Sequence, residues 1–151
     1  MDKRFLDDRE RRIGELILIV GKKTHGFIKP PVIVIGGYAL RSFLPFTRYS
    51  RDCDFAIPKA KGWVIDSVPS WFSGLSAEAK ETVDDWGFLR MVQLVGRVKI
   101  GLDFMEGEIR GRESERIVLD EEFVKSSTTA TITVGGKTVG IRVPSYSDSC
   151  S

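Results

Sequence analysis

The sequence predicts an α+β protein, with a mixed, mostly antiparallel β-sheet and helices packed on one side of it. Three observations predict this. The chain opens on an amphipathic stretch with helical spacing. A short β-branched apolar run follows at 32–35. Two later pairs of alternating segments are each joined by two residues that include glycine. The chain has 151 residues, enough for one domain with its own core. That domain is expected over 1–145, with 146–151 as a flexible tail.

Hydrophobic residues make up 42% and charged residues 29%, as in an ordinary globular protein. A net charge of +2 neither demands nor excludes a nucleic-acid partner. No apolar run is long enough to span a bilayer, so no membrane partner is expected. The charged start, Met-Asp-Lys-Arg-Phe-Leu-Asp-Asp, does not resemble a signal peptide. A cytoplasmic setting is expected. Cys53 falls in a predicted core strand and Cys150 in the tail, so no disulfide is expected between them. Two cysteines and one histidine, His25, are too few and too scattered for zinc.

The first element is a helix over 7–23. Ile13, Leu16, Ile17 and Val20 recur on one face, and Arg9, Glu10, Arg11, Arg12 and Glu15 form a solvated one. Asp7 and Asp8 suit its N-terminus, and Lys22 and Lys23 its C-terminus. Pro30-Pro31 forces an extended entry into the strand 32–35. Gly36 and Gly37 end that strand. They permit φ > 0 and let backbone N–H groups come close to a ligand. A helix over 38–44 follows, with Ala39, Leu40, Phe43 and Leu44 inward, and Pro45 stops it.

The next strand carries Asp52 and Asp54. Residues two apart on a strand share a face, so two carboxylates project together while Cys53 and Phe55 enter the core. Like charges that close repel unless a cation lies between them. Mg²⁺ favours hard oxygen ligands and often shares a few carboxylates with substrate phosphates. A metal site facing a glycine turn and a helix N-terminus suits a nucleoside triphosphate.

Beyond it, 58–62 reads as a basic surface turn. The stretch 63–75 is aromatic and broken by proline and glycine; no element is assigned to it. Its Trp63, Trp71 and Phe72 are expected in the core rather than stacked on a base. A short helix is predicted over 77–85, capped by Ser76. Strands over 88–95 and 98–104 pair antiparallel through Gly96-Arg97. In the second, Ile100, Leu102 and Phe104 share one face, and Lys99, Gly101 and Asp103 the other. Arg110 to Arg116 reads as a charged loop, and 119–124 as one helical turn. The alternating segments 128–134 and 137–143 make a hairpin through Gly135-Gly136, expected to extend the sheet.

Gly36, Gly37, Ala39, Leu40, Arg48, Ser50, Asp52 and Asp54 occur in the order Gly-Gly-x-Ala-Leu, then Arg-x-Ser-x-Asp-x-Asp. This resembles the signature of the DNA polymerase β-like nucleotidyltransferase superfamily, most closely its AbiEii-toxin-like branch. The resemblance implies a nucleotidyltransferase fold over 32–145. It implies transfer of a nucleoside monophosphate from a nucleoside triphosphate to a hydroxyl acceptor, with two Mg²⁺ or Mn²⁺ ions. Asp52 and Asp54 would be metal ligands. The superfamily's third carboxylate lies on a neighbouring strand, and Asp103 is the candidate for it and for the catalytic base. Gly36 and Gly37 would take triphosphate oxygens, and Ser50 would donate to phosphate. Arg48 would pair with phosphate or with a core carboxylate, and Lys99 with a phosphate or with Asp103. Tyr38 stands where relatives often carry a phosphate-binding Ser or Thr.

The acceptor implied is RNA or tRNA, a protein hydroxyl or a small molecule. Relatives continue past a turn like Val143-Pro144-Ser145 into a helical half. The chain is therefore expected to be the catalytic half of a longer protein, or to need an antitoxin-like partner or self-association to close the acceptor side. Two rivals stand beside the enzyme. One is a non-catalytic nucleotide- or partner-binding module of the same fold. The other is a structural α+β domain whose three acids do not converge.

Overall fold

Five strands form one sheet in the order β1–β2–β5–β4–β3. They are β1 (Ile33–Ile35), β2 (Asp52–Ile57), β3 (Ala77–Val83), β4 (Gly87–Val95) and β5 (Val98–Glu106). Every neighbouring pair is antiparallel except β2 and β5, which run parallel. The sheet is therefore mixed, as expected. This computed structural model describes residues 3–44, 51–59, 62–75, 77–83, 87–95, 98–110 and 116–145. The Gly96-Arg97 turn, Pro45 and the tail 146–151 lie outside them.

Alternation along the strands decides which face is apolar. Phe55, Leu89, Met91, Ile100, Leu102 and Phe104 are buried in one core with Ile13, Leu16, Ile17 and Val20 of helix α1 (Lys3–Lys23). Phe55 and Phe104 stack with ring centroids 4.7 Å apart. The helix begins four residues before the expected start, so Asp7 and Asp8 sit in its second turn. Its polar face is not wholly solvated either, because Arg9 and Glu10 are buried. At the end of β5, Glu106 is fully buried and accepts the Val64 and Ile65 N–H groups, each at 2.9 Å. That clamps a 3₁₀ turn, Val64–Asp66, and the short α3 (Val68–Trp71) against the sheet. Phe72 is buried there, with Trp63 and Trp71 packed partly against the same core.

Further expectations change, beginning with the helix expected over 38–44, which is the short α2 (Gly36–Leu40) with Leu40, Phe43 and Leu44 exposed rather than inward. The segment from Ala77 is a strand, not a helix, and pairs antiparallel with β4. Its Ala, Glu and Lys are good helix formers, but that preference is small and the edge of β4 overrides it, pairing with the segment through one register shift between Ala79 and Glu81. The hairpin of β8 (Thr128–Val134) and β9 (Lys137–Val143) does not extend the main sheet but forms a separate two-stranded one. It lays Ile132, Val134, Val139 and Ile141 into the α1 core. Gly14 permits this approach, since a Cβ there would lie 3.1 Å from the Val134 carbonyl oxygen. The charged stretch is bounded by a small ribbon, β6 (Glu108–Arg110) with β7 (Arg116–Val118), and 111–115 lie outside the described residues.

Helices also lie on both faces of the sheet, not one. Ile33, Ala56 and Leu119 form a second buried cluster, with Phe123 and Val124 of α4 (Glu121–Ser126) packed against it. Asp120 caps that helix by accepting the Phe123 N–H at 3.1 Å. Among the described residues, no helix is long and apolar enough to cross a membrane.

Candidate active site

The parallel pairing of β2 with β5 places Asp54 opposite Asp103, and Asp52 opposite Gly101. On the other side of β5, Arg90 of β4 lies opposite Asp103. Arg90, Asp103 and Asp54 thus form a row across three adjacent strands, with Asp52 two residues before Asp54. The face is the one turned away from α1, since Cys53 and Phe55 point into the core.

Two glycines make this arrangement possible. Gly36 has φ +73, in the left-handed region that favours glycine, and a Cβ on it would lie 2.8 Å from Asp54 Oδ2. The start of α2 (Gly36–Leu40) therefore presses directly on the Asp54 carboxylate. On β5, a Cβ at Gly101 would collide with Asp52 Oδ1 and lie 2.6 Å from Arg90 Nη2. Its missing side chain is the space in which those two groups meet.

Arg90 Nη1 donates to both Asp103 oxygens at 2.9 Å, and Nη2 donates to Asp52 Oδ1 at 2.9 Å. One guanidinium thus holds two carboxyl groups, Asp103 and Asp52. Burial, then the Asp103 and Asp52 charges, push Asp54 up from 3.8 to about 6, against the pull of Arg90. Asp103 is raised by burial, with Arg90 opposing that shift.

The other expected site residues are scattered. Gly37 lies in α2 beside Gly36. Lys99 is exposed on β5, on the Asp103 side of the alternation. Arg48 and Ser50 lie outside the described residues. Tyr38 turns the other way, towards α1. It is fully buried, and its hydroxyl donates to Glu10 at 3.0 Å, so it offers no group to a phosphate beside Asp54. The sequence reading missed Arg90, although its signal was present: a two-residue turn pairing Val95 with Val98 fixes Arg90 opposite Asp103.

Among the described residues, no three His, Cys, Asp or Glu side chains form a ready-made metal site. Two of the three carboxylates are held by Arg90 instead. The donor set still fits a hard divalent cation. It consists of carboxylate oxygens, and its negative charge exceeds the single guanidinium set against it. Asp52, Asp54 and Asp103 would be the residues to hold one.

The Asp54 shift has a measurable consequence. Between about pH 4 and pH 6, the folded chain keeps a proton that the unfolded chain releases. Stability therefore falls as pH rises through that window, and the penalty is complete above it. Asp54→Asn removes the ionisation. At pH 7.5 it is expected to raise the unfolding free energy by about 2 kcal/mol. Urea unfolding from pH 3.5 to 8 would show a flatter profile, meeting the native curve at the acid end. A variant as pH-sensitive as the native protein would show that Asp54 is not the group that titrates.

Compared with protein-family models, with curated proteins and with solved structures, the chain matches none.

Proposed function

We propose that this protein is a metal-dependent nucleotidyltransferase, moving a nucleoside monophosphate from a nucleoside triphosphate to a hydroxyl acceptor. The observation that carries the reading is the alignment of Asp54 with Asp103 across β2 and β5, with Asp52 beside them and Gly36, at the start of α2, against Asp54. Divalent ions, when bound, neutralise the triphosphate and ease ionisation of the acceptor hydroxyl. The chain supplies position. The glycines at the start of α2 carry no side chain that would keep backbone N–H groups from phosphate oxygens. Asp103, the central member of the row, accepts the hydroxyl proton. The acceptor oxygen bonds to the α-phosphorus, the bond to the β-phosphate oxygen breaks, and pyrophosphate leaves. Such transfers need mainly alignment and charge neutralisation, which a rigid sheet provides. RNA or tRNA is the acceptor in this reading, in a cytoplasmic setting. An antitoxin-like partner or a second copy would close the acceptor side.

A second reading has one specific observation in its favour. Arg90 already compensates Asp52 and Asp103, as it would in a domain that keeps the fold only to bind a nucleotide or a partner.

Thermal unfolding with each nucleoside triphosphate, in Mg²⁺ or Mn²⁺, tests the proposal. A ligand at 100 times its Kd adds about 2.7 kcal/mol of apparent stability. The expected result is a metal-dependent rise in Tm that the Asp52→Ala/Asp54→Ala variant loses. No shift with any nucleotide would sink the transferase and leave a partner-binding domain.

A further inference from the structure

Arg90 has no role in the reaction just described, yet the sheet holds it at the centre of the site. It faces Asp103 across the β4–β5 pairing, and its guanidinium spans from both Asp103 oxygens to Asp52. The group therefore stands where a cation shared by those two carboxylates would stand. Its side chain is 26% exposed, and its guanidinium is held by the two ion pairs. A guanidinium is a planar fork of five donors, which matches phosphate oxygens as well as carboxylate oxygens.

We infer that Arg90 is a phosphate-binding residue of the nucleotide site, held on Asp52 and Asp103 as a tethered counter-ion until a metal–triphosphate complex displaces it. The inference rests on the nucleotidyltransferase reading and adds an order of events. A divalent ion arriving alone competes with a guanidinium that cannot diffuse away. An ion arriving with a triphosphate takes over the carboxylates while the phosphates take the guanidinium. Metal and triphosphate then bind together far better than either binds alone. The exchange leaves no charged group stranded, because the Asp52 and Asp103 carboxylates gain a metal cation in place of Arg90 and Arg90 itself gains a phosphate anion.

The test is a titration of Mn²⁺ into the protein, with and without a non-hydrolysable ATP analogue, reading free Mn²⁺ by its electron paramagnetic resonance signal. Without the analogue, Arg90→Met is expected to bind Mn²⁺ at least tenfold more tightly than the native protein. Arg90→Lys should fall between them, since an ammonium is a point charge that cannot bridge two carboxylates as a fork does. Thermal melts followed by circular dichroism check folding. If Arg90→Met does not fold, Arg90→Lys must still bind Mn²⁺ severalfold more tightly than native. The analogue should strengthen Mn²⁺ binding in the native protein at least tenfold more than in Arg90→Met. If the variants bind Mn²⁺ alone no better than native, while native binds it with the analogue, this role for Arg90 is overturned and the transferase reading stands. If the native protein takes up no Mn²⁺ with or without the analogue, both are overturned.

Discussion

Glu10→Ala is expected to lower the unfolding free energy by about 3–5 kcal/mol, the usual cost of removing one partner from a buried ion pair. The Glu10 and Arg41 side chains are only 6% and 8% exposed. Glu10 accepts from Arg41 at 2.5 and 2.9 Å, from the Tyr38 hydroxyl at 3.0 Å and from the Gly135 N–H at 3.2 Å. Arg41 also lies over the Tyr38 ring, 4.3 Å from its centroid. One carboxylate thus ties α1 to α2, to the residue after α2 and to the turn of the β8–β9 hairpin. Alanine would remove the buried acceptor that the Arg41 guanidinium, the Tyr38 hydroxyl and the Gly135 N–H share. Arg11→Ala is the control. Its pair with Asp8 is half-exposed and three residues away on the helix surface, and such pairs contribute about 0.3–0.5 kcal/mol. Urea unfolding measures both. A loss below that of the control would show that the hairpin is held by its apolar side chains alone.

On the proposed nucleotidyltransferase reading, Asp103→Asn is expected to slow transfer about 10²–10⁴-fold, the range for losing a positioned general base. Asparagine keeps the shape and can still accept from Arg90, so the fold should survive. The rate would be read as labelled nucleotide transferred to bulk tRNA, with pyrophosphate release as a second measure. Circular dichroism melts would show that the variant is folded. An unchanged rate in a folded variant would remove Asp103 from the reaction and leave it as a partner of Arg90.

Much of this arrangement was legible in the residues themselves. Period-two alternation places Cys53 and Phe55 inward and Asp52 and Asp54 outward, because a pleated strand gives the side chains no other choice. The same rule puts Asp103 on the wet face of β5, and short glycine turns give away both hairpins. What the sequence hides is which edge meets which. Nothing local announces that β2 lies parallel to β5, and the pairing of Asp54 with Asp103 depends on that. Nor does alternation say that the β8–β9 hairpin packs on α1 rather than joining the main sheet. The segment from Ala77 misleads because a weak helical preference yields to an open sheet edge. Tyr38 misleads in another way. Its place after Gly-Gly points to phosphate, but Glu10, remote in sequence, claims its hydroxyl. Glu10 itself reads as a surface residue until Arg41 and the Gly135 turn close over it. Arg90 was within reach, since hairpin register alone sets it against Asp103, but an arginine on a strand carries no signature of its own.

The parallel pairing of β2 with β5 also governs when the carboxylates can first meet. Each hairpin joins neighbours in the chain and can close on its own, with little loop entropy to overcome. Asp54 meets Asp103 only after the chain between them has folded back and crossed over, and non-local closures of that kind come late. A nascent or partly unfolded chain holding only its hairpins keeps Asp103 beside Arg90 and has no Asp52 or Asp54 alongside. The cluster of Asp52, Asp54, Asp103 and Arg90 therefore exists only once β2 has joined β5, however well the hairpins have formed.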